Sequence, residues 1–227
     1  MSAEKFLVTG ATGETGRYTV QRLLEKGHAV RALVHKEDER SEALRGTGAE
    51  VVVGDLLEHD DAIRATAGTS AAYFCYPVRP GLIQATAYFA DAAKRAGLKA
   101  VVNLSQISAR EDSKSHAARD HWIAECVLDW SGVPVVHLRP TFFAQWLLYR
   151  FSRATIVEDG IIDLPYGEGR HAPIAAEDRL GSSRPFWRSR PPIWARPTRF
   201  MARFSWIRPE SPRPSAKCWA ERSPTGR

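Results

Sequence analysis

The feature that most constrains the fold is segment 6–16, where a short apolar run ends in three glycines spaced three residues apart. Gly10 suits a tight turn after a strand, Gly13 lets a pyrophosphate approach the backbone, and Gly16 lets the next helix pack close to the sheet. Residues 17–25 have the character of that helix, whose free N–H groups and dipole would attract phosphates. The segment predicts a dinucleotide site; the alternative is an ordinary glycine-rich turn between a strand and a helix. The residues predicted to bind the dinucleotide here are Gly10, Thr12, Gly13, Glu14, Thr15 and Gly16.

Short apolar runs alternate with helical segments as far as residue 138. After the first strand and helix, strands are predicted at 28–34, 50–53, 70–75, 99–104 and 133–138, and helices at 37–45, 59–67, 82–96 and 115–130. Short connections between alternating elements are typical of βαβ units with right-handed crossovers. The sequence therefore predicts an α/β fold with a Rossmann-type doubly wound parallel sheet, whose ligand lies at the carboxyl ends of the strands.

The net charge of +6 comes entirely from segment 181–227. That segment has a net charge of +9, whereas residues 1–180 have a net charge of −3, so no nucleic-acid partner is expected. No apolar run approaches the ~20 residues that span a bilayer, and no membrane partner is expected either. Cys75, Cys126 and Cys218 are too few and too widely spaced for a disulfide framework or a zinc site. A reducing, cytoplasmic location without a bound metal fits this pattern.

Segment 181–227 also differs from the rest of the chain in composition, with ten Arg, eight Pro, seven Ser and four Trp. Proline at this density interrupts helical and strand periodicity, and the tryptophans are unusual for a disordered basic arm. Such a composition is typical of a GC-rich gene translated out of frame. With suitable synonymous codons, residues 193–200 also encode His-Leu-Gly-Lys-Thr-Tyr-Pro-Leu in a shifted frame. We expect a frameshift near residues 178–184 and a poorly ordered tail.

The end of the second predicted strand bears on the choice of cofactor. An acidic residue there would hold the 2′-hydroxyl of NAD, whereas cations would hold the 2′-phosphate of NADP. This chain has His35 and Lys36 at that point, and its first carboxylate, Glu37, suits the start of a helix. The pattern favours NADP(H) over NAD(H), and the alternative is that Lys36 is only a solvated turn residue.

Other strand ends supply further candidates. Asp55 and Leu56 follow the third strand, where Asp55 either caps the next helix or lies beside the adenine on which Leu56 packs. Tyr76 and Pro77 follow the fourth strand and are expected to line the nicotinamide half of the site. Ser105 follows the fifth strand, where it either contacts the substrate or serves as a turn residue.

Several motifs together resemble the NmrA-like group of atypical short-chain dehydrogenases. They are segments 8–13, 54–56 and 138–143, and Glu125 followed by 131–133, within a resemblance that covers about residues 4–180. The resemblance implies a Rossmann core over 1–150 and a small C-terminal lobe beginning at 151–180, which the tail at 181–227 would leave incomplete. The group includes NAD(P)H-dependent quinone and azo reductases and also NADP-sensing regulators.

Short-chain dehydrogenases commonly carry Tyr-x-x-x-Lys on the helix after the fifth strand, where this chain has Ala117 and His121. Carbonyl reduction needs a proton donor, but quinones and azo compounds are good hydride acceptors whose anions take a proton from water. The resemblance therefore implies a reductase of a small aromatic electron acceptor, active as a monomer or homodimer; the alternative is a non-catalytic redox sensor. His121 is expected to act in catalysis or bind the nicotinamide ribose, or else to be a solvent-facing helical residue. Further residues expected near the cofactor or acceptor are Thr141, Phe142, Phe143, Gln145 and Trp146, and the alternative for the aromatic ones is ordinary core packing.

Overall fold

The computed structural model describes residues 4–141, 143–145, 156–158, 174 and 198–200. Strands and helices alternate through the first of these ranges, as the sequence predicts. The strands are β1 (Lys5–Val8), β2 (Ala29–Val34), β3 (Glu50–Val53), β4 (Ala71–Phe74), β5 (Ala100–Leu104), β6 (Val135–Leu138) and β7 (Thr198–Phe200). The helices are α1 (Glu14–Glu25), α2 (Glu39–Gly46), α3 (His59–Thr66), α4 (Leu82–Arg95) and α5 (His116–Ser131).

The strands form one sheet in the order β3-β2-β1-β4-β5-β6-β7, and every neighbouring pair is parallel. The strand order reverses between β1 and β4, which is where a doubly wound sheet opens a crevice for its ligand. The predicted Rossmann-type α/β fold is confirmed.

Both faces of the sheet are covered by helices, and successive residues of β1 show why. Leu7 packs with Phe74 and Phe89 on one face, whereas Phe6 and Val8 pack on the other, where the second buried cluster lies. This alternation follows from the two-residue repeat of a strand. Strands buried on both faces must be apolar throughout, which explains the short unbroken apolar runs that predicted them.

A buried polar chain joins β5, β6 and α5. The side-chain amide of Asn103 donates to Nδ1 of His137 (2.9 Å), so the proton of this imidazole is on Nε2, which donates to Asp129 (3.0 Å). His137 is 1% exposed. Because every member has a partner, the chain fixes α5 against the end of the sheet without leaving a buried polar group unsatisfied.

Little of the predicted lobe and tail lies within the described residues. Phe143 forms an isolated parallel bridge with Ile174, and the N–H of Ala144 donates to the carbonyl of Ile174 (3.0 Å). The strand β7, which belongs to segment 181–227, pairs in parallel with β6. The predictions for the lobe at 151–180 and for the tail fall largely outside the described residues.

Candidate cofactor-binding cleft

A cleft of about 880 Å³ opens at the carboxyl ends of the strands, across the reversal of strand order. Its size is within the range of known small-molecule sites. Most of the residues predicted for the site line this cleft: Gly10, Thr12, Gly13, Glu14, Thr15, His35, Asp55, Leu56, Tyr76, Pro77, Ser105, His121 and Thr141. Phe143 and Gln145 also line it, whereas Phe142 and Trp146 lie outside the described residues.

The glycine turn has the geometry that its spacing predicts. Gly10 has a φ of +59°, and its carbonyl accepts a hydrogen bond from the N–H of Gly13 (3.0 Å). A Cβ on Gly16 would lie 2.1 Å from the carbonyl oxygen of Gly10, so only glycine lets α1 pack this close to the turn. Gly16 therefore supports the turn from behind and does not line the cleft.

The start of α1 is suited to an anion. Gly13 is its N-cap residue and supplies no side-chain acceptor to the first N–H groups of the helix. Those N–H groups are left for a ligand, and the helix dipole favours a negative charge there. The nearest carboxylate, Glu14, is paired with Arg17 (2.9 Å). The turn and helix start thus fit the pyrophosphate of a dinucleotide.

A reciprocal pair of hydrogen bonds lies beneath this turn. The hydroxyl of Thr9 donates to the carbonyl of Cys75 (3.0 Å) and accepts from the N–H of Cys75 (2.8 Å). Thr9 is completely buried. It therefore joins the ends of β1 and β4 at the point where the sheet opens, and holds the floor of the cleft.

At the end of the cleft that follows β2 and β3, where the sequence predicts the adenine and which we call the adenine end, Asp55 forms a turn. One of its carboxylate oxygens accepts from the N–H of Leu57 (2.9 Å), and its own N–H donates to Asp61 (2.8 Å). Its second oxygen lies 3.7 Å from Nδ1 of His35, too far for a hydrogen bond. Asp55 thus shapes the wall of the cleft and does not cap α3, whose N-cap residue is Glu58.

Arg40 lines the adenine end and was missed by the sequence analysis, which gave that position to Lys36. Lys36 is exposed and is not among the lining residues. Asp38 caps α2 by accepting from the N–H groups of Arg40 (3.0 Å) and Ser41 (3.1 Å), and the Arg40 guanidinium bonds the same carboxylate (2.6 Å). The Arg40 bond and the Ser41 N–H together hold the pKa of Asp38 below its usual value. The signal for Arg40 was the Asp-x-x-Ser spacing of the cap, which fixes where the helix begins.

Ser105 is the most informative polar residue of the opposite half. Its side chain is 4% exposed, and its backbone N–H is held by the carbonyl of Leu138 (2.8 Å). Its hydroxyl is the one buried side-chain polar atom, among the residues described, that has no hydrogen-bond partner. Because a buried hydroxyl without a partner costs stability, an unsatisfied hydroxyl lining a cleft indicates a ligand atom that completes it.

His121 lines the cleft from α5 and is 5% exposed, so it is not a solvent-facing residue. Burial lowers the pKa of its imidazole, and the carboxylates of Glu125 and Asp120 oppose that effect only in part. The imidazole is therefore neutral near pH 7. Ala117 lies one turn earlier, and its carbonyl accepts from the side chain of Gln106 (3.1 Å).

A buried ion pair supports this helix from below. Glu125 is fully buried, and Arg139 binds it with two hydrogen bonds, one of them from Nε (2.8 Å). Arg139 directly precedes Pro140 and Thr141, which line the cleft. The pair therefore fixes α5, with its His121, against the end of β6.

The fold and the cleft together define a class of protein. A doubly wound parallel sheet, a glycine turn at its strand reversal and a helix start open to an anion are the features of a dinucleotide-binding domain. The model of a family described as NAD(P)H-binding matches residues 10–151, and the chain belongs to that family. The resemblance to NmrA-like dehydrogenases stated from the motifs is confirmed.

Two curated relatives are each 33% identical to this chain and align with 76% of it. One is an NAD(P)H azoreductase of Xenophilus azovorans, of which 59% is covered. The other is a (4-alkanoyl-5-oxo-2,5-dihydrofuran-3-yl)methyl phosphate reductase of Streptomyces griseus, of which 58% is covered. The chain thus spans somewhat more than half the length of these relatives.

A similar solved structure is that of Citrobacter sp. triphenylmethane reductase complexed with NADP(H). It is 26% identical, with a TM-score of 0.67, over 77% of this chain and 62% of that one.

None of the helices within the described ranges is long and apolar enough to cross a membrane.

Proposed function

We propose that this chain is an NADPH-dependent reductase of electron-poor aromatic acceptors of the quinone or azo type, working without a Tyr-x-x-x-Lys pair. The observation that carries the proposal is the placing of Ser105 and His121 in the same cleft as the glycine turn. The curated relatives are named as reductases of an azo compound and of a dihydrofuran phosphate, which supports reduction as the shared chemistry.

The residues of the reacting half suit acceptors that need no strong acid. NADPH supplies a hydride, which carries two electrons, and a quinone that accepts it needs one further proton to become a hydroquinone. Ser105 offers its free hydroxyl as a donor to the acceptor oxygen that gains negative charge. The neutral His121 carries one N–H that can orient the nicotinamide ribose or the acceptor, and water supplies the remaining proton.

The preference for NADPH over NADH rests on Arg40 and His35, which both line the adenine end. A 2′-phosphate would take the guanidinium of Arg40 away from Asp38, exchanging one anionic partner for another. The neighbouring carboxylates already accept hydrogen bonds from the protein backbone, since Asp38 caps α2 and Asp55 accepts from the N–H of Leu57. Arg40→Gln should therefore lower kcat/KM for NADPH, with little change for NADH.

The experiment that tests the proposal makes two measurements on the same protein: the rate of NADPH consumption with a small quinone, and the equilibrium affinity for NADPH. A reductase consumes NADPH well above the uncatalysed rate, whereas the redox sensor binds NADPH and shows no turnover. Ser105→Ala should lower kcat by about a hundredfold or more, the loss expected for one stabilising donor, and leave the Kd for NADPH unchanged. Wild-type protein that binds NADPH but reduces neither quinones nor azo dyes would overturn the proposal in favour of the sensor.

A further inference from the structure

We propose that Arg79 binds an anionic substituent of the acceptor, so that the cleft selects aromatic acceptors that carry a sulfonate or carboxylate. This inference rests on the proposed function and deepens it by naming a feature of the substrate. Arg79 follows β4 and lines the cleft, and no motif of the sequence analysis drew attention to it.

The charges that line the cleft are divided between its two halves. His35, Arg40 and Asp55 lie at the adenine end, after β2 and β3, and Glu14 lies at the start of α1, where the pyrophosphate is expected. In the other half, lined from the ends of β4, β5 and β6 and from α5, the described lining residues include no carboxylate. Among the described residues that line this half, Arg79 is therefore the one that carries a charge at neutral pH, since burial keeps His121 neutral.

The guanidinium of Arg79 is held in place without being neutralised. Its Nε donates to the hydroxyl of Tyr76 (3.3 Å), and its central carbon lies 5.3 Å from the centroid of that ring. The Tyr76 ring is 5% exposed, and its hydroxyl donates to the carbonyl of Pro80 (3.3 Å), so the support is itself fixed. In the part of the chain that the structure describes, Arg79 forms no salt bridge, and its two terminal nitrogens have no hydrogen-bond acceptor.

A guanidinium held through Nε presents its terminal N–H groups as a pair. That arrangement matches the two oxygens of a carboxylate or sulfonate, which a guanidinium binds with parallel hydrogen bonds. A cation that the protein leaves unpaired at the rim of a cleft also attracts anions from solution before contact.

Apolar side chains beside Arg79 suit the rest of such a molecule. Val78 is 66% exposed and Ile107 is 45% exposed, and both line the cleft from different loops. Exposed aliphatic groups on a cleft wall indicate a surface that an apolar ligand covers. An aromatic ring between Val78 and Ile107 would place an anionic substituent within reach of Arg79.

The experiment compares a naphthoquinone with the same naphthoquinone carrying a sulfonate. For each protein variant, kcat/KM is measured for both acceptors at saturating NADPH, and the ratio of the two values is the readout. Taking the ratio removes the effect of the sulfonate on the reduction potential of the quinone, because that effect is the same in every variant.

Arg79→Gln should lower this ratio about fivefold, the upper range for one exposed ion pair, and leave the KM for NADPH unchanged. Arg79→Lys should keep part of the preference, since it retains the charge without the paired N–H groups. The matched control is Arg110→Gln, which removes an exposed arginine paired with Asp112 outside the cleft lining and should leave the ratio unchanged. Added salt should lower kcat/KM for the sulfonated acceptor alone.

Other outcomes separate this inference from the proposed function. An equal loss for both acceptors, or a raised KM for NADPH, would assign Arg79 to the loop structure or to the cofactor and overturn the inference. If wild-type protein consumes no NADPH with either quinone, the proposed function fails. Equilibrium binding of the sulfonated compound to wild-type and Arg79→Gln protein still decides the role of Arg79, since equal affinities would overturn it.

Discussion

Replacing Gly16 by alanine should destabilise the protein more than any other glycine substitution in the glycine turn at residues 10–16. The new Cβ would lie 2.1 Å from the carbonyl oxygen of Gly10, 2.7 Å from its carbonyl carbon and 2.8 Å from Cα of Ala11. Unstrained contacts between heavy atoms lie near 3.5 Å. Either α1 or the turn must therefore move by more than an ångström, because all three obstructing atoms belong to the backbone and no side chain can rotate away.

Overpacking of this kind costs about 1–3 kcal/mol and occasionally more. We expect Gly16→Ala to cost about 3 kcal/mol, which at a urea m-value of about 3 kcal/mol/M lowers the unfolding midpoint by about 1 M. Binding of NADPH should weaken as well, because the displaced helix start carries the N–H groups that we propose bind the pyrophosphate.

Two matched substitutions show whether the cause is the contact or the loss of a glycine. Gly46, the last residue of α2, has no atom within 4 Å of an added Cβ, so Gly46→Ala should be neutral or stabilise by up to about 1 kcal/mol. Gly13→Ala is intermediate, since its Cβ would lie 3.2 Å from the carbonyl oxygen of Gly10. If Gly16→Ala keeps the wild-type midpoint and Kd for NADPH, the close packing of α1 on the turn is refuted.

Three further predictions concern the buried charges and the tail. Arg139→Met leaves the carboxylate of Glu125 buried and unpaired and should cost about 3–5 kcal/mol in urea unfolding. Adding Glu125→Gln should recover most of that loss, and a double variant as unstable as the sum of both single variants would contradict the ion pair. Because folding lowers the pKa of His121, the unfolded state binds its proton more readily, and stability should fall as the pH drops below about 6.5. His121→Asn should flatten that part of the pH profile, and an unchanged slope would exclude His121 as its source. Sequencing the gene tests the frameshift hypothesis. In a shifted frame, the codons for residues 193–200 should encode His-Leu-Gly-Lys-Thr-Tyr-Pro-Leu, and any other peptide sequence would argue against a frameshift.

The glycine turn and the fold were predictable because their signals are local. The spacing of Gly10, Gly13 and Gly16 predicts the close packing that the structure shows. A Cβ at residue 16 would lie 2.1 Å from the carbonyl oxygen of Gly10, so only glycine fits there. The apolar runs likewise predict strands buried on both faces of a parallel sheet.

The residues that sequence reasoning missed depend on geometry beyond their own segment. Arg40 reaches the cleft because Asp38 caps α2 and sets the helical register, whereas Lys36 precedes the cap and stays exposed. Ser105 was a candidate, but its lack of a partner can be seen only when every neighbouring donor and acceptor has been placed. Arg79 lies between Pro77 and Pro80 in a loop, a context with no periodic pattern to indicate its role. The position of its guanidinium depends on contact with the ring of Tyr76, which only the structure shows.

The hydrogen bonds between Thr9 and Cys75 join residues 66 positions apart. The first strand of the chain lies in the middle of the sheet and contacts β4, so it must wait for β4 to be synthesised before its second edge is paired. Until residue 75 has left the ribosome, the glycine turn lacks both the Thr9–Cys75 hydrogen bonds beneath it and the Cys75 residue that Gly10 packs against. On the proposed function, NADPH therefore cannot stabilise the nascent chain until β4 has been synthesised, and a pause in translation before β4 would leave β1 exposed to mispairing.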